Sequence, residues 1–297
     1  MGKPYVVVRG ADGELRAFYN VCRHHGAELV CGAGRIQNFV CPYHGWKYSL
    51  QGDLTAAPRM QGAENFDKSA FGLKPVKLCA AGPFIWLALG SVDASPEALF
   101  EGAWARLADT GYEKLKFHSR RTYEIRCNWK VYVDNYLDGG YHVGMLHRQL
   151  SRQLKLGAYK TEVGDGFSIQ SVKGQQSDRI GDKALYVWLY PNFMINRYGP
   201  AMDTNWVIPL SPERCLTVFD FYFADVEGGD AQAFIRESLQ MSEQVQEEDI
   251  AIVESVQRGL ESGASEPGRY APRVEHAMYA FHRQLAVDVA RTVDMMP

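Results

Sequence analysis

Residues 20–26 read Asn-Val-Cys-Arg-His-His-Gly, and residues 41–46 read Cys-Pro-Tyr-His-Gly-Trp. The first segment places Cys22 two residues before His24, and the second places Cys41 three residues before His44, with 16 residues between the two pairs. Two thiolates and two imidazoles can therefore converge on one site from two neighbouring loops. Because thiolate and imidazole groups bind transition metals in proteins, this spacing predicts a metal centre.

Two kinds of metal site take mixed Cys and His ligands. Structural zinc is tetrahedral and accepts both, whereas a Rieske [2Fe–2S] cluster has Cys on one iron and His on the other. The symmetry of the two pairs favours the cluster, because each loop would supply one thiolate to the first iron and one imidazole to the second. Structural zinc stays open as an alternative, and so does a coincidental spacing of core residues.

Composition excludes several classes of function. The 297 residues are enough for about two domains. A net charge of −3, a pI near 6.3 and the lack of a long basic run argue against binding to nucleic acid or to an anionic membrane. Without a membrane-spanning apolar run or a secretion signal, we expect a soluble cytoplasmic protein, or a protein of the chloroplast stroma if the source is a plant.

The first part of the chain is predicted to be a small antiparallel β-domain. Short strand-like segments alternate with turns that contain glycine, and the metal motifs fall at the tips of two hairpins. The predicted strands are residues 5–8, 15–19, 39–41, 46–48 and 84–87. The composition changes from about Ser91, so we place a domain boundary there, with domains at 1–91 and 92–297.

A second chemical signal lies in the predicted helix 128–142 and its continuation. His142 and His147 are about 140° apart around a regular helix, so both can bind one metal only if the helix breaks or ends between them. Gly144 permits that break. The pair Gly139-Gly140 would be costly in a helix interior, which suggests a close approach between backbone and metal.

A mononuclear iron would need one carboxylate beside two histidines. In the predicted helix 241–260, Asp249 lies at the centre of an apolar stripe, and Glu247 and Glu254 point to the other side. The stripe consists of Val245, Ile252, Val253, Val256 and Leu260. A buried carboxylate needs a partner, so a metal ligand is one account of Asp249 and a buried Arg or Lys partner is the other.

The region between these helices alternates apolar and polar residues, which predicts an antiparallel sheet of five or more strands. The predicted strands are residues 166–170, 184–190, 192–196, 205–208 and 215–222. A last helix over 274–292 closes the chain. The predicted class is therefore α+β, with a small β-domain followed by an antiparallel sheet that grips long helices.

Residues 20–26 and 41–46 resemble the Rieske domain of ring-hydroxylating-type oxygenases. Further blocks, at 134–143, 190–193, 197–200, 256–260 and 268–270, are similar to the plant-type choline monooxygenases. The resemblance implies a Rieske domain followed by a catalytic domain of helix-grip fold, and several tens of residues before Tyr5. It places the cluster ligands on Cys22, His24, Cys41 and His44, and the ligands of a mononuclear iron on His142, His147 and Asp249.

Many relatives have an acidic residue three positions before the first iron-binding histidine, which bridges that histidine to the cluster of an adjacent subunit. In this chain that position is Gly139, and the acid is Asp138, four positions before His142. Asp138 shares a helix face with His142, so it could orient the imidazole. Asn135 lies on the same face and could support either role.

The resemblance also implies a reaction. A ferredoxin or flavin reductase would deliver electrons to the cluster, which passes them to Fe(II), where O₂ is activated, within a head-to-tail trimer. The predicted reaction is hydroxylation of choline, or of a related quaternary ammonium compound, which gives betaine aldehyde hydrate from choline. Oxidative N-demethylation of glycine betaine, carnitine or another betaine is the alternative. A Rieske protein that only carries electrons is an alternative of another class.

Aromatic faces bind quaternary ammonium ions, with up to roughly 2 kcal/mol per desolvated contact. The segment 186–190 presents aromatic residues on one strand face, and Trp206 lies on a later strand. We therefore predict a substrate cage formed by Trp188, Tyr190 and Trp206. Placement of the same residues in the core is the alternative interpretation.

Overall fold

The computed structural model describes residues 2–89, 94–175 and 179–294. The chain divides into two units, Met1–Pro96 and Glu97–Pro297. The first unit is built mainly from short strands, and the second combines one large sheet with long helices, so the predicted α+β class is confirmed. The predicted boundary between residues 91 and 92 lies outside the described residues and stays a prediction.

The first unit contains two small antiparallel sheets, with strand orders β1-β2-β6-β7 and β3-β4-β5. One metal motif follows β2, and the other connects β3 to β4. The strands are β1 (Tyr5–Arg9), β2 (Leu15–Tyr19), β3 (Phe39–Val40), β4 (Lys47–Tyr48), β5 (Leu54–Ala56), β6 (Pro75–Ala81) and β7 (Phe84–Ala88).

The core of the first unit lies directly beneath the two motif loops. Phe39, Trp46 and Tyr48 are almost fully buried, and Cys22 and Cys41 belong to the same apolar cluster. The loops are therefore fixed by packing from below, and their cysteines point inward.

The second unit is organised around a seven-stranded antiparallel sheet with the order β8-β14-β13-β12-β11-β10-β9. The strands are β8 (Lys116–Ile125), β9 (Lys160–Gly164), β10 (Phe167–Lys173), β11 (Lys183–Leu189), β12 (Phe193–Tyr198), β13 (Ala201–Ser211) and β14 (Arg214–Phe223). The helices are α1 (Pro96–Leu99), α2 (Glu101–Ala108), α3 (Trp129–Leu137), α4 (Val143–Leu146), α5 (Arg148–Ser151), α6 (Gly229–Glu261) and α7 (His276–Asp294).

Three helices pack on the inner face of this sheet. Val133 of α3, Val253 of α6 and Phe281 of α7 lie in one buried cluster with Trp188 and Met194 of the sheet. Alternation along the strands sends every second side chain to this face, which explains why the helices cover it. This is the helix-grip arrangement expected from the sequence. No helix among the described residues is both long and apolar enough to cross a bilayer.

The helix that leads to the two histidines ends earlier than predicted. The predicted helix 128–142 stops at Leu137, because Gly139 and Gly140 have φ angles of 72° and 73°. The chain therefore breaks before His142, whereas Gly144 lies within the short helix α4. The close approaches that the structure shows at the two glycines are to the Val274 carbonyl and the Tyr159 ring.

The predicted apolar stripe of α6 is wrong in part. Ile252, Val256 and Leu260 are 40–50% exposed, and Val253 is buried. The buried side of α6 instead carries two glutamines. Gln246 accepts a hydrogen bond from the Tyr132 hydroxyl at 2.6 Å. Gln257 accepts one from the backbone N–H of Asn128 at 2.8 Å. The sequence pattern predicted the wrong buried face for α6, because polar residues such as these glutamines pack inward.

The glycine break should contribute to the stability of the fold. In Gly139→Ala, the new Cβ would lie 2.3 Å from the Val274 carbonyl oxygen, in a backbone region that disfavours L-residues. We expect a loss of about 2 kcal/mol or more in the free energy of unfolding, measured by urea titration. Gly144→Ala is the control, since its Cβ would meet only Leu156 at 3.5 Å. Equal stability of the two variants would contradict this assignment.

Candidate metal centres and cavity

Two histidines and one aspartate meet between α4 and α6. His142 immediately precedes α4, His147 immediately follows it, and Asp249 lies within α6. Nε2 of His147 lies 3.1 Å from Nε2 of His142 and 3.1 Å from Oδ1 of Asp249. The distance from His142 Nε2 to Asp249 Oδ1 is 3.9 Å. The fold thus brings together the three residues that the sequence singled out.

The other nitrogen of each imidazole contacts a carboxylate. Nδ1 of His142 lies 2.6 Å from Asp138 Oδ2, and Nδ1 of His147 lies 2.7 Å from Glu248 Oε2. Because a carboxylate accepts, each neutral ring carries its proton on Nδ1 and presents a lone pair at Nε2. Two Nε2 lone pairs and one carboxylate oxygen therefore face one another, which is unfavourable unless a cation lies among them.

The spacing of these three atoms fits a single metal ion. Adjacent ligands about 2.1 Å from one metal lie about 3 Å apart, close to the observed separations. His147 is 2% exposed and Asp249 13% exposed, so water competes little for the ligand atoms. Two histidines and one carboxylate form the ligand set typical of non-haem Fe(II) sites with open positions.

The charge around His147 favours a cation. Burial lowers the pKa of His147, but hydrogen bonds and charges of Asp249 and Glu248 outweigh burial and raise the pKa above its ordinary value. The same carboxylates that would attract a proton would attract a metal ion.

Asp138 and Asn135 both support this site. Asp138 ends α3, is 7% exposed, and its oxygens also accept hydrogen bonds from the Tyr141 and His142 amides at 3.1 and 2.9 Å. Asn135 donates to Asp249 Oδ1 at 2.7 Å. Asp138 thus fixes the ring of His142, and Asn135 fixes the carboxylate of Asp249.

Sequence reasoning missed Glu248. It lies among three consecutive acidic residues, 247–249, and the rotation of α6 decides which of them face the histidines. Glu247 is exposed, whereas Glu248 binds His147 and accepts a hydrogen bond from Gln244 at 3.1 Å. The spacing of Gln244 and Glu248, four residues apart, is the one signal in the sequence, and it is weak.

The two loops of the first unit have the same backbone hydrogen-bond pattern. The Cys22 amide donates to the Ala27 carbonyl and the Gly26 amide to the Cys22 carbonyl, at 2.8 and 3.0 Å. The Cys41 amide donates to the Trp46 carbonyl and the Gly45 amide to the Cys41 carbonyl, also at 2.8 and 3.0 Å. Both glycines have positive φ, 82° and 73°. Each loop is therefore a tight turn that begins at a cysteine.

In the first unit the two predicted cysteine ligands are buried, and the predicted histidine ligands lie nearer the surface. Cys22 and Cys41 are 2% and 3% exposed, whereas His44 is exposed, and the rings of His24 and His44 have centroids 4.8 Å apart. The Cys22 thiol and the Tyr48 hydroxyl are hydrogen-bonded at 3.3 Å. A cluster held here would be buried at its cysteine side and open to solvent at its histidine side.

His24 supplies a direct test of fit. Its Nδ1 is buried without a hydrogen-bond partner, although such atoms are nearly always satisfied. The ring is fixed by stacking on Trp46, with centroids 4.6 Å apart. Burial, together with the neighbouring His25 and His44, lowers the pKa of His24, which favours the neutral ring that binds metal. A metal–sulfur cluster on two thiolates and two imidazoles accounts for the orphaned nitrogen.

A cavity of about 130 Å³ adjoins the three metal-facing residues of the second unit. A protein cavity of about 150 Å³ holds benzene, so the space suits a compact ligand of similar size. Its aromatic lining consists of Tyr132, Tyr136, Tyr159, Tyr186, Tyr198 and Phe219.

The aromatic cage predicted from the sequence does not line this cavity. Trp188 packs edge-on against Phe281 of α7, and the Tyr190 hydroxyl bonds Asp288 at 2.6 Å. Both share a strand face with Tyr186 but lie farther along it, where α7 covers the sheet. Trp206 is 50% exposed on the opposite face. The three predicted residues are therefore not brought together, and a different set of aromatics surrounds the cavity.

Comparisons with known proteins match both units. The Rieske [2Fe-2S] domain matches residues 1–67, and the ring hydroxylating alpha subunit (catalytic domain) matches residues 112–290. Choline monooxygenase of Arabidopsis thaliana is 47% identical over 94% of this chain, and that of Beta vulgaris 38% identical over 94%. The chain spans 69% and 64% of the length of these two relatives.

One solved structure gives a further comparison. A quaternary ammonium Rieske monooxygenase, studied for carnitine oxidation and inter-subunit electron transfer, superposes with a TM-score of 0.87. It is 29% identical, and the match covers 96% of this chain and 82% of that chain.

Glu248 should control metal affinity through His147. In Glu248→Ala the imidazole loses the acceptor that fixes its tautomer, so we expect Fe(II) affinity to fall about 10- to 100-fold. Glu248→Gln should keep much of the affinity, because its amide oxygen still accepts from Nδ1. The measurement is anaerobic Fe(II) titration of metal-depleted protein, with Glu247→Ala as the exposed control. An unchanged affinity in Glu248→Ala would show that His147 needs no such support.

Proposed function

The chain belongs to the Rieske non-haem iron oxygenases, and we propose that it hydroxylates choline, or a closely related quaternary ammonium compound, with O₂. The observation that carries this proposal is the aromatic cavity that adjoins His142, His147 and Asp249. In the proposed reaction, choline, O₂, two electrons and two protons give betaine aldehyde hydrate and one water.

Two metal groups would be held by residues already described. Cys22, His24, Cys41 and His44 would bind the [2Fe–2S] cluster within residues 1–91. His142, His147 and Asp249 would bind the mononuclear iron within residues 92–297. When bound, the cluster relays electrons one at a time and the iron activates O₂ next to the substrate.

The chain's own side chains prepare the mononuclear site. Asp138 and Glu248 hold the two imidazoles in the tautomer that offers Nε2, so the rings are oriented for the metal before it binds. Asn135 holds one oxygen of Asp249 in place. All three ligand residues line the cavity, so metal positions that they leave open would be available to O₂ and substrate there.

The cavity supports a cationic substrate without N–H groups. Its six aromatic side chains present π faces or ring edges, and an aromatic face attracts a cation. Burial in this cavity removes water from the substrate and from the ligand residues, which strengthens electrostatic contacts. A small quaternary ammonium compound matches both the size and the lining.

Oxidative N-demethylation is the second candidate. Hydroxylation of an N-methyl group, rather than of the alcohol carbon, gives a hemiaminal that loses formaldehyde. The likeness to the structure studied for carnitine oxidation supports this alternative. A protein that only carries electrons is less well supported, because it would have no use for three convergent ligand atoms beside a cavity.

We also propose the partners that the chemistry requires. A ferredoxin or flavin reductase would supply the electrons, and a head-to-tail trimer would bring each cluster to the iron of the adjacent subunit, through Asp138 beside His142. The compartment proposed is the cytoplasm, or the chloroplast stroma if the source is a plant.

An oxygen-dependent assay tests the reaction. The holoprotein, with an electron donor, is offered choline, glycine betaine, carnitine and proline betaine, and products are identified by mass spectrometry with ¹⁸O₂. We expect oxygen incorporation at the alcohol carbon of choline. Formaldehyde release from a betaine would favour the demethylase, and turnover of none of the four would refute the proposed substrate class.

Asp249→Ala separates the two metal groups. We expect the iron-to-sulfide ratio to fall from about 1.5, which is three iron atoms to two sulfides, toward about 1, because only the cluster is retained. Hydroxylation should be lost. The visible spectrum of the cluster should stay unchanged. A wild-type ratio near one would instead indicate a pure electron carrier.

Tyr48→Phe should change the cluster potential. The variant removes the hydrogen bond to Cys22, and hydrogen bonds to cluster sulfurs help to set the potential. We expect a more negative reduction potential by protein-film voltammetry, at unchanged iron and sulfide content. Tyr43→Phe is the matched control, because Tyr43 is 65% exposed. Equal potentials in wild type and Tyr48→Phe would exclude this role.

A further inference from the structure

One rung of the large sheet forms a polar wall of the cavity. Asp203 of β13 pairs across the ladder with Asn196 of β12, which pairs with Tyr186 of β11, which pairs with Gln170 of β10. All four side chains line the cavity. Asp203 is the charged member of this rung and is 4% exposed.

Both oxygens of Asp203 are already hydrogen-bonded. The Tyr198 hydroxyl donates to Oδ1 at 2.6 Å, and the amides of Asn196 and Asn205 donate to Oδ2 at 2.7 and 3.1 Å. Asn196 is held in turn by the Tyr136 hydroxyl, which donates to its Oδ1 at 2.8 Å. The carboxylate is therefore fixed in position, with three of its roughly four acceptor sites used.

The charge of Asp203 is only indirectly compensated. No salt bridge joins it to a basic side chain in the described part of the chain. Arg179 also lines the cavity, but it contacts Tyr198 instead of Asp203: the guanidinium donates to the Tyr198 hydroxyl at 3.2 Å and lies 4.6 Å from the ring centre. Burial raises the pKa of Asp203 above its ordinary value, because the bonds from Tyr198 and Asn196, the Arg179 charge and the bond from Asn205 offset burial only in part. A cation bound beside the carboxylate would favour its charged form.

A buried carboxylate without a contacting cation is costly, so its position beside a ligand cavity calls for an explanation. The hydrogen bonds make Asp203 a poor partner for an N–H or O–H group, because little acceptor capacity remains. They leave its negative charge in place. A ligand that gains from the charge without needing a hydrogen bond is a quaternary ammonium ion.

We propose that Asp203 is the counter-ion of the bound substrate and selects a quaternary ammonium group over neutral ligands of the same shape. The inference deepens the proposed function and rests on it for the class of substrate. Aromatic side chains surround the N-methyl groups, and Asp203 supplies the long-range attraction. Specificity for a permanent cation thus comes from a charge whose hydrogen bonds are internal to the protein.

Asp203→Asn removes the charge and can keep the network. The amide oxygen can accept from Asn196 and Asn205, and the amide NH₂ can donate to the Tyr198 oxygen after its hydroxyl rotates. Asp220→Asn is the matched control. Asp220 lies on the neighbouring strand β14, on the opposite face of the sheet, and pairs with Arg120 at 2.6 Å.

The test is calorimetric titration of the anaerobic holoprotein with tetramethylammonium, choline and 3,3-dimethylbutan-1-ol, the neutral carbon analogue of choline. We expect Asp203→Asn to weaken both cations at least tenfold and to change the neutral alcohol less than threefold. Asp220→Asn should bind all three ligands like wild type. Equal weakening of cations and alcohol in Asp203→Asn would mean that Asp203 only maintains the cavity, which overturns the inference.

A measurement on wild type alone covers the case in which Asp203→Asn fails to fold. Choline should bind at least tenfold more tightly than the neutral alcohol, and equal affinity would overturn the inference. One outcome is that the cations bind as expected while the oxygen-dependent assay shows no turnover of choline, glycine betaine, carnitine or proline betaine. In that case the proposed reaction fails and the counter-ion role of Asp203 stands. If no quaternary ammonium compound binds, both fail.

Discussion

Three hydrogen-bond acceptors that face one another are the constraint on which the second unit depends. Nε2 of His142, Nε2 of His147 and Oδ1 of Asp249 are held at 3.1 to 3.9 Å, with both imidazole protons committed to carboxylates on the far side. Such an arrangement favours a cation among the three atoms, and the carboxylates on the far side fix the rings that offer them. The break after α3 places Asp138 at the helix end, where it holds both the ring and the backbone of His142.

The loop site could be predicted from the sequence because its geometry is local. Each loop closes on itself between a cysteine and a glycine four residues later, so spacing alone implies the two tight turns. The site of His142, His147 and Asp249 is different, because Asp249 meets the histidines only through the packing of α6. The sequence identified Asp249, but it gave α6 the wrong phase and so missed Glu248. Inward glutamines such as Gln246 do not differ in sequence from exposed ones.

The failure of the aromatic cage has a related cause. Strand alternation shows which side chains share a face, and it placed Trp188 and Tyr186 together correctly. It does not show which element covers each position. Phe281 of α7 fills the space above Trp188, whereas the space above Tyr186 is left open as the cavity. Coverage depends on the helices that cross the sheet, and no local pattern encodes it.

The positions of the two carboxylates suit the two cations that are proposed to share one buried space. At an effective dielectric constant near 20, two unit charges about 6 Å apart repel by roughly 3 kcal/mol, so a metal ion and a quaternary ammonium group would oppose each other's binding. With one shared carboxylate, the positive charge of either the metal ion or the quaternary ammonium group would be left uncompensated. Here Asp249, on a helix, faces the proposed metal position, and Asp203, on the sheet, lines the cavity proposed for the substrate. Tyr136 donates to Asn196, which in turn donates to Asp203, so the substrate side has its own fixed polar network. With the two negative charges on different elements, both proposed cations would bind without a rearrangement of the fold.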